Sequence, residues 1–233
     1  MENEFRVVSQ HLQSSSEKAH VTPLWLFVLA AVVPLFVIII LANQSVEMRG
    51  QAFRDTYSAV RRMRTGQFPP YLGIVSNLGI VIWCAAWAVT GFISLVMFHK
   101  RAIRLGLFLL SQSVITGILV ADDLLLMHEM VYPRFGIDEV VIFAVYICLV
   151  GLWVGTFRAV ISFIGAGLLI LSGLGFACSI VGDMLEGTQF HVPMMDGSGK
   201  LFGIFFWTVF ALRGCWVLLE ADRTPFFAVA TQK

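Results

Sequence analysis

Six long apolar runs constrain this chain more than any other feature of its sequence. An α-helix needs about 20 apolar residues to cross the ~30 Å hydrocarbon core of a bilayer. The runs are Pro23–Asn43, Tyr71–Phe98, Ala102–Met127, Glu139–Phe157, Ala159–Gly182 and Ser198–Leu219. They lack the two-residue alternation of strands, so they predict helices and exclude a membrane barrel. We expect an all-α polytopic membrane protein with about six transmembrane helices. The predicted bundle spans residues 23–219, between a polar tail at 1–22 and a C-terminal tail at 220–233.

The composition excludes several other classes of protein. Only 13% of the residues are charged, against about 25% in average globular proteins. A formal net charge of +1 argues against a nucleic-acid partner, because such binding rests on excess positive charge. The four cysteines lie inside apolar runs, without the spacing of a zinc site or a disulfide framework. The histidines offer no buried pair for haem, and we expect neither haem nor a nucleotide.

The segment Gln44–Pro70 predicts a helix that lies in the membrane interface. Apolar residues recur there at helical spacing, namely Val46, Phe53, Tyr57 and Val60. Five arginines lie mostly beside them: Arg49, Arg54, Arg61, Arg62 and Arg64. Such a helix turns its apolar side toward acyl chains and its arginines toward headgroup phosphates. A solvated surface helix is the alternative.

Six crossings place both termini on one face of the membrane, together with the basic loop His99–Arg104. The other face receives the interfacial helix and the segments Asp122–Glu139 and Asp183–Lys200. The short basic loop favours a cytoplasmic N-terminus by the positive-inside rule, although the interfacial arginines on the other face oppose this orientation. We expect an integral protein of a bacterial plasma membrane, with lipids as its surroundings and other membrane subunits as candidate partners.

Ionisable residues gather where the third helix ends. The residues are Asp122, Asp123, His128 and Glu129. At 100° per residue, one stripe of this helix holds Ser111, Asp122 and Glu129, and the adjacent stripe holds Gln112, Thr116 and Asp123. Burying such groups at membrane depth is costly, so both stripes must face the bundle interior or a wet cavity. Helix parity brings Ser76, Asn77, Asp183 and Lys200 to the same level.

A divalent metal would relieve the repulsion between adjacent carboxylates. Oxygen and imidazole ligands without thiolate suit Zn²⁺, Mn²⁺ or Fe²⁺. The predicted ligands are Asp123, His128 and Asp183, with Asp122 or Glu129 either as a carboxylate that hydrogen-bonds one of the ligands or as general base. On an ideal helix Asp123 and His128 point about 140° apart, so one ion reaches both only if the helix ends between them. A metal with an open position would hydrolyse a lipid-like ester or amide.

Two alternatives stay open for the same residues. The acidic and histidine groups are also what an interface with another membrane subunit would carry, paired with Lys200 or Arg134. A chain of Glu, Asp and His side chains is also typical of a proton or ion pathway. No comparable group continues that chain toward the opposite face.

The end of the third helix resembles a class of uncharacterised bacterial multipass proteins. In that class Asp-Asp or Asp-Glu is followed after four residues by His-Glu, as in Asp122-Asp123 and His128-Glu129 here. The stretch from Asp196 to Gly203 is similar to the acidic–Gly–Lys entry of that class into its last helix. This resemblance implies a multipass helical fold.

A remoter similarity is to the alkaline ceramidase and adiponectin-receptor type of membrane hydrolase. Those proteins combine a serine on an early helix, an aspartate on the next and histidine ligands around zinc. Ser76 with Asp122 or Asp123 matches the first two positions. The similarity implies a zinc-dependent hydrolase of lipid amides.

Overall fold

The computed structural model describes residues 22–53, 71–185 and 194–223. These ranges contain seven α-helices and no strand: α1 (Leu24–Ala42), α2 (Val46–Phe53), α3 (Ile74–His99), α4 (Ile103–Leu125), α5 (Glu139–Ile164), α6 (Ala166–Met184) and α7 (Met195–Arg223). All except α2 are long and apolar enough to cross a membrane. The all-α membrane fold with six spans is therefore confirmed.

The boundary between α5 and α6 differs from the prediction. The apolar runs put a turn at Arg158, but α5 continues to Ile164 and only kinks at Phe157, where φ is −110° and ψ is 21°. The chain turns at Gly165, whose φ of +122° is a conformation that only glycine adopts at low cost. The Arg213 side chain on α7 donates from Nε to the Ile164 carbonyl, which satisfies the end of α5.

The helices α6 and α7 pack backbone against backbone through glycine. A Cβ added to Gly175 would lie 2.6 Å from the Gly203 amide nitrogen, and one on Gly199 would lie 2.7 Å from that of Ser179. The Ser172 hydroxyl donates to the Gly203 carbonyl at 2.9 Å. Small residues allow this approach in the membrane. The contact places α7, the most buried span, at the centre of the bundle.

The helix α5 is the least buried of the six spans, and it meets the bundle through aromatic side chains. The Trp153 ring stacks on Phe108 of α4, with centroids 5.3 Å apart, and lies 5.9 Å from the Trp207 ring of α7. Phe157 adds an edge-on contact to Phe108 at 5.4 Å. Because these large rings fill the interface, few backbone atoms of α5 come close to its neighbours.

The predicted interfacial segment is described only in part. Helix α2 contains Arg49, and its Phe53 side chain packs close to Gly197 at the start of α7. Arg54, Arg61, Arg62 and Arg64 lie outside the described residues, as do the tails at 1–21 and 224–233. The contact of the five arginines with lipid headgroups remains a prediction.

Candidate acid–base site

The helix α4 ends two residues after its two aspartates. Leu126 adopts the left-handed conformation, with φ 50° and ψ 43°, and its amide donates to the Asp122 carbonyl. One π-helical turn, Met127–Val131, and a 3-10 turn, Tyr132–Phe135, follow. Left-handed backbone is unfavourable for a branched residue, and isolated π turns recur at functional sites. The helix thus ends between Asp123 and His128, as the metal hypothesis required.

This break folds His128 back onto Asp122. His128 Nδ1 lies 2.7 Å from Asp122 Oδ2, and both side chains are buried. With Nδ1–H donating to the carboxylate, the neutral ring has its basic nitrogen at Nε2, a tautomer assigned from the hydrogen-bond partner. The aspartate therefore orients the imidazole and stabilises its protonated form.

The first two turns of α5 complete the surroundings of His128. The Glu139 Oε1 atom lies 3.9 Å from His128 Nε2, and the Phe143 ring centroid lies 5.8 Å from that of the imidazole. The Tyr146 phenol lies near the Asp122 carboxylate. The positive end of the α5 dipole favours the negative charge of Glu139 in the first turn. We call Asp122, His128, Glu139 and Tyr146 the His128 cluster.

Three buried oxygen atoms at this face form no hydrogen bond of good distance and angle within the described residues. They are Asp122 Oδ1, Asp123 Oδ2 and the Tyr146 hydroxyl, although the phenol lies beside the Asp122 carboxylate and Tyr132. Most buried polar atoms in proteins are paired, and an orphaned carboxylate oxygen is costly in apolar surroundings. These atoms fit a water molecule, a cation or a polar group of a bound substrate.

The neighbouring carboxylate of Asp123 points to α7 and forms an ion pair with Lys200 Nζ. Asp183 lies exposed at the end of α6. Within residues 22–53, 71–185 and 194–223, no three His, Cys, Asp or Glu side chains come together around a point that would hold a metal. The ligand set Asp123, His128 and Asp183 is thus not gathered among these residues, and metal binding remains a prediction.

The second polar stripe of α4 is fully buried against α7. Thr116 Oγ1 accepts a hydrogen bond from Trp207 Nε1 at 3.0 Å and donates to the Gln112 carbonyl at 2.8 Å. The Gln112 side chain is buried in the same region. The prediction that this stripe faces the bundle interior is confirmed for Gln112, Thr116 and Asp123.

The remaining predicted cavity residues are less central. Ser111 is half-buried and donates to two carbonyl groups of its own helix, at 2.7 and 2.9 Å. Ser76 is half-buried and Asn77 is exposed, both in the first turn of α3. The side chain of Glu129 is outside the described part of the structure.

Sequence reasoning missed Glu139, Phe143 and Tyr146. A signal for them exists, because residues three and four apart share one face of a helix. These three residues and Trp153 recur at that spacing along α5. The run was interpreted as a uniformly apolar span, and its polar stripe was not recognised.

Comparison with known proteins assigns the chain to a family. The model of the family described as "Domain of unknown function (DUF8692)" matches residues 24–213, which include the first five spans, most of the sixth and the whole His128 cluster. No curated protein and no solved structure matches the chain. Because the match covers most of the sequence, the chain belongs to the DUF8692 family.

Proposed function

We propose that this protein is a membrane hydrolase that cleaves a lipid-like ester or amide, with His128 as its general base. The observation that carries the proposal is the buried 2.7 Å contact between His128 Nδ1 and Asp122 Oδ2. A carboxylate on one ring nitrogen makes the other nitrogen a positioned base. Positioned general bases contribute about 10²–10⁴-fold to rate.

The reaction needs only water as a co-reactant. His128 Nε2 takes a proton from a water molecule as the water oxygen attacks the substrate carbonyl carbon. The protonated ring then gives the proton to the departing alcohol or amine when the carbon–oxygen or carbon–nitrogen bond breaks. Asp122 stabilises the imidazolium between these two transfers, and Tyr146 lies close to that carboxylate.

A lipid-like substrate is favoured by the surroundings of the site. Leu124 and Leu125 follow Asp123 directly, and their side chains are 58% and 60% exposed. Phe135, in the 3-10 turn, is also exposed. Acyl chains therefore lie beside the polar cluster. We further propose, from the short basic loop around Lys100, that the N-terminus is cytoplasmic in a bacterial plasma membrane and that the His128 cluster lies at the outer face.

The test is hydrolysis by the purified protein in lipid nanodiscs. The substrates are a ceramide, a phospholipid and a fluorogenic acyl ester, and His128→Gln is compared with His99→Gln, an exposed histidine at the end of α3. We expect turnover by the wild type and by the His99 variant, with a loss of about 10²–10⁴-fold in the His128 variant. Absence of wild-type turnover, or equal rates in both variants, would contradict the proposal.

A metal-assisted version of this chemistry has one observation in its favour. Metal-binding histidines usually donate their second nitrogen to a carboxylate, as His128 does to Asp122, and His128 Nε2 lies 3.9 Å from Glu139 Oε1. Here Glu139 takes the ligand role first predicted for Asp123 and Asp183. The metal content of the purified protein, measured by mass spectrometry, distinguishes the metal-assisted version from the metal-free one. A stoichiometric Zn, Mn or Fe that is lost in Glu139→Gln but kept in Asp138→Asn, its exposed neighbour, would support this version.

A second candidate function is that of a non-catalytic subunit in a larger membrane complex. The observation that favours it is the low burial of α5, where a Cβ added at Gly151 or Gly155 would meet no atom within 4 Å. Small residues on a free helix surface allow close contact with another helix. A protein that co-purifies with the wild type and is lost in Gly151→Leu, but not in Gly173→Leu, would favour this function. Gly173 is equally open on α6.

A further inference from the structure

The carboxylate of Glu139 lies near the imidazole of His128 without a direct hydrogen bond to it. The distance from Glu139 Oε1 to His128 Nε2 is 3.9 Å. This is too long for a direct hydrogen bond, and it is short enough for one water molecule to lie within about 3 Å of both atoms. The Glu139 side chain is 43% exposed, so solvent reaches its carboxylate. The separation of the two groups therefore suits a shared water molecule.

The contacts around His128 determine which ring atom faces Glu139. Asp122 Oδ2 lies 2.7 Å from His128 Nδ1, so the neutral imidazole presents its hydrogen-bond acceptor, Nε2, on the side of Glu139. Phe143 follows Glu139 by one turn of α5 and shares its face of the helix. Its ring lies against the imidazole, with centroids 5.8 Å apart. The imidazole is thus held by α4 on one side and by α5 on the other.

We propose that Glu139 is a second catalytic residue, which orients the attacking water together with His128. A neutral imidazole nitrogen and a carboxylate both accept hydrogen bonds. The water molecule donates one hydrogen to His128 Nε2 and the other to Glu139 Oε1, so its oxygen lone pairs point away from both groups. When that oxygen attacks the substrate carbonyl carbon, the first hydrogen passes to Nε2 as a proton and the second stays on the oxygen. This proposal rests on the proposed hydrolase and extends it.

The test compares Glu139→Ala with Asp138→Ala in the full-length protein in lipid nanodiscs. Asp138 is the exposed neighbour of Glu139, and its side chain forms no capping hydrogen bond with α5. Its variant therefore removes an equal charge and leaves the water in place. We expect Glu139→Ala to lower kcat for the fluorogenic acyl ester by about 10²-fold. KM should stay unchanged, because Glu139 contacts the water and not the substrate.

Chemical rescue separates this role from a purely structural one. Formate is a carboxylate small enough to occupy the space that Glu139→Ala opens, so it should restore turnover to that variant, whereas chloride at the same concentration should not. A misfolded variant would gain nothing from formate. Rates for Glu139→Ala equal to those for Asp138→Ala, or a loss that formate does not restore, would overturn the proposal. If the wild type is active and His128→Gln is not, these results leave the hydrolase itself intact.

Two further measurements do not depend on rates. Loss of a bound metal from Glu139→Ala, measured by mass spectrometry, would make Glu139 a metal ligand and would overturn the proposal. In a high-resolution experimental structure of the wild type, we expect water density within hydrogen-bond distance of both His128 Nε2 and Glu139 Oε1. A direct hydrogen bond between the two side chains, or no water between them, would contradict the proposed position of the water.

Discussion

Asp122 and Asp123 are adjacent in sequence and belong to different parts of the molecule. Asp122 contacts His128, whose ring lies near Glu139 and Phe143 of the peripheral helix α5. Asp123 faces α7, the central helix, and pairs with Lys200. The 100° between consecutive helical residues separates the two carboxylates, so each has its own cationic or basic partner. Two adjacent acidic residues therefore serve two sites and not one.

The largest effect we expect is a loss of hydrolytic turnover when Asp122, but not Asp123, loses its charge. Asp122→Asn removes the charge that orients and stabilises the His128 ring, and should lower kcat by about 10²–10⁴-fold. Asp123→Asn should keep near wild-type turnover per folded molecule, because Asp123 pairs with Lys200. Rates measured with the acyl ester, normalised to folded protein, make the comparison. Equal losses in both variants would mean that the two carboxylates share one site.

The next largest effect concerns the free energy of unfolding and the ion pair between Asp123 and Lys200. Lys200→Met leaves the buried Asp123 carboxylate without its counter-ion, and should lower the free energy of unfolding by about 3 kcal/mol. Combining it with Asp123→Leu should recover most of that loss, since an apolar pair needs no counter-ion. Unfolding in mixed micelles measures both. Arg158→Met, at an exposed position of α5, is the control and should have little effect. Failure of the double variant to recover would show that the ion pair is not the main cause.

A smaller effect distinguishes Gly175, which packs against α7, from Gly173, which has open space around it. Gly175→Ala places a Cβ 2.6 Å from the backbone of α7, and such overpacking should lower the free energy of unfolding by about 1–3 kcal/mol. Gly173→Ala, two residues earlier on the same helix, meets open space and should raise it by up to about 1 kcal/mol. The difference in Tm between the two variants checks the close contact of α6 with α7. Similar values for both would argue against that contact.

The smallest expected effect comes from one hydrogen bond within the membrane. Trp207→Phe removes the donor to Thr116 together with one of the two fused rings, and the hydrogen bond itself should account for about 0.6 kcal/mol of the loss, the average for interhelical hydrogen bonds in membranes. Trp216→Phe, whose ring is 65% exposed, should cost less. Thermal unfolding of the two variants in parallel resolves the difference. A larger loss for Trp216 would show that Trp207 does not join α4 to α7.

The number of helices could be predicted from the sequence because each span must satisfy its own backbone hydrogen bonds in lipid. The turn at Gly165 could not, since a charged residue such as Arg158 is a strong turn signal and a glycine in an apolar run is ambiguous. Arg158 is exposed within α5, while Gly165 carries the positive φ. The boundary between α5 and α6 depends on the backbone conformation of Gly165, which a hydropathy pattern does not reveal.

The candidate site was predictable in part for a similar reason. The polar stripe with Gln112, Thr116 and Asp123 follows from helical periodicity, and these residues are buried. The partner of His128 does not follow, because it depends on the left-handed Leu126, which breaks the helix within an apolar stretch. Periodicity cannot extend across that break, so the sequence placed Asp123 and His128 around one ion and left Asp122 and Glu129 as alternative partners of the ligands. In the structure Asp122 is the residue that contacts His128.

The left-handed Leu126 has a consequence for how the protein sits in its membrane. Hydrocarbon favours uninterrupted helix, because a broken one leaves backbone groups without partners, whereas the aqueous interface supplies those partners. Moving α4 deeper into lipid would therefore favour extending the helix through Leu126. In a continuous helix, residues six apart are about 9 Å apart along the axis and 120° apart around it, so His128 would separate from Asp122. The contact between His128 and Asp122 should therefore depend on how deeply α4 lies in the membrane. A change in bilayer thickness should alter that contact.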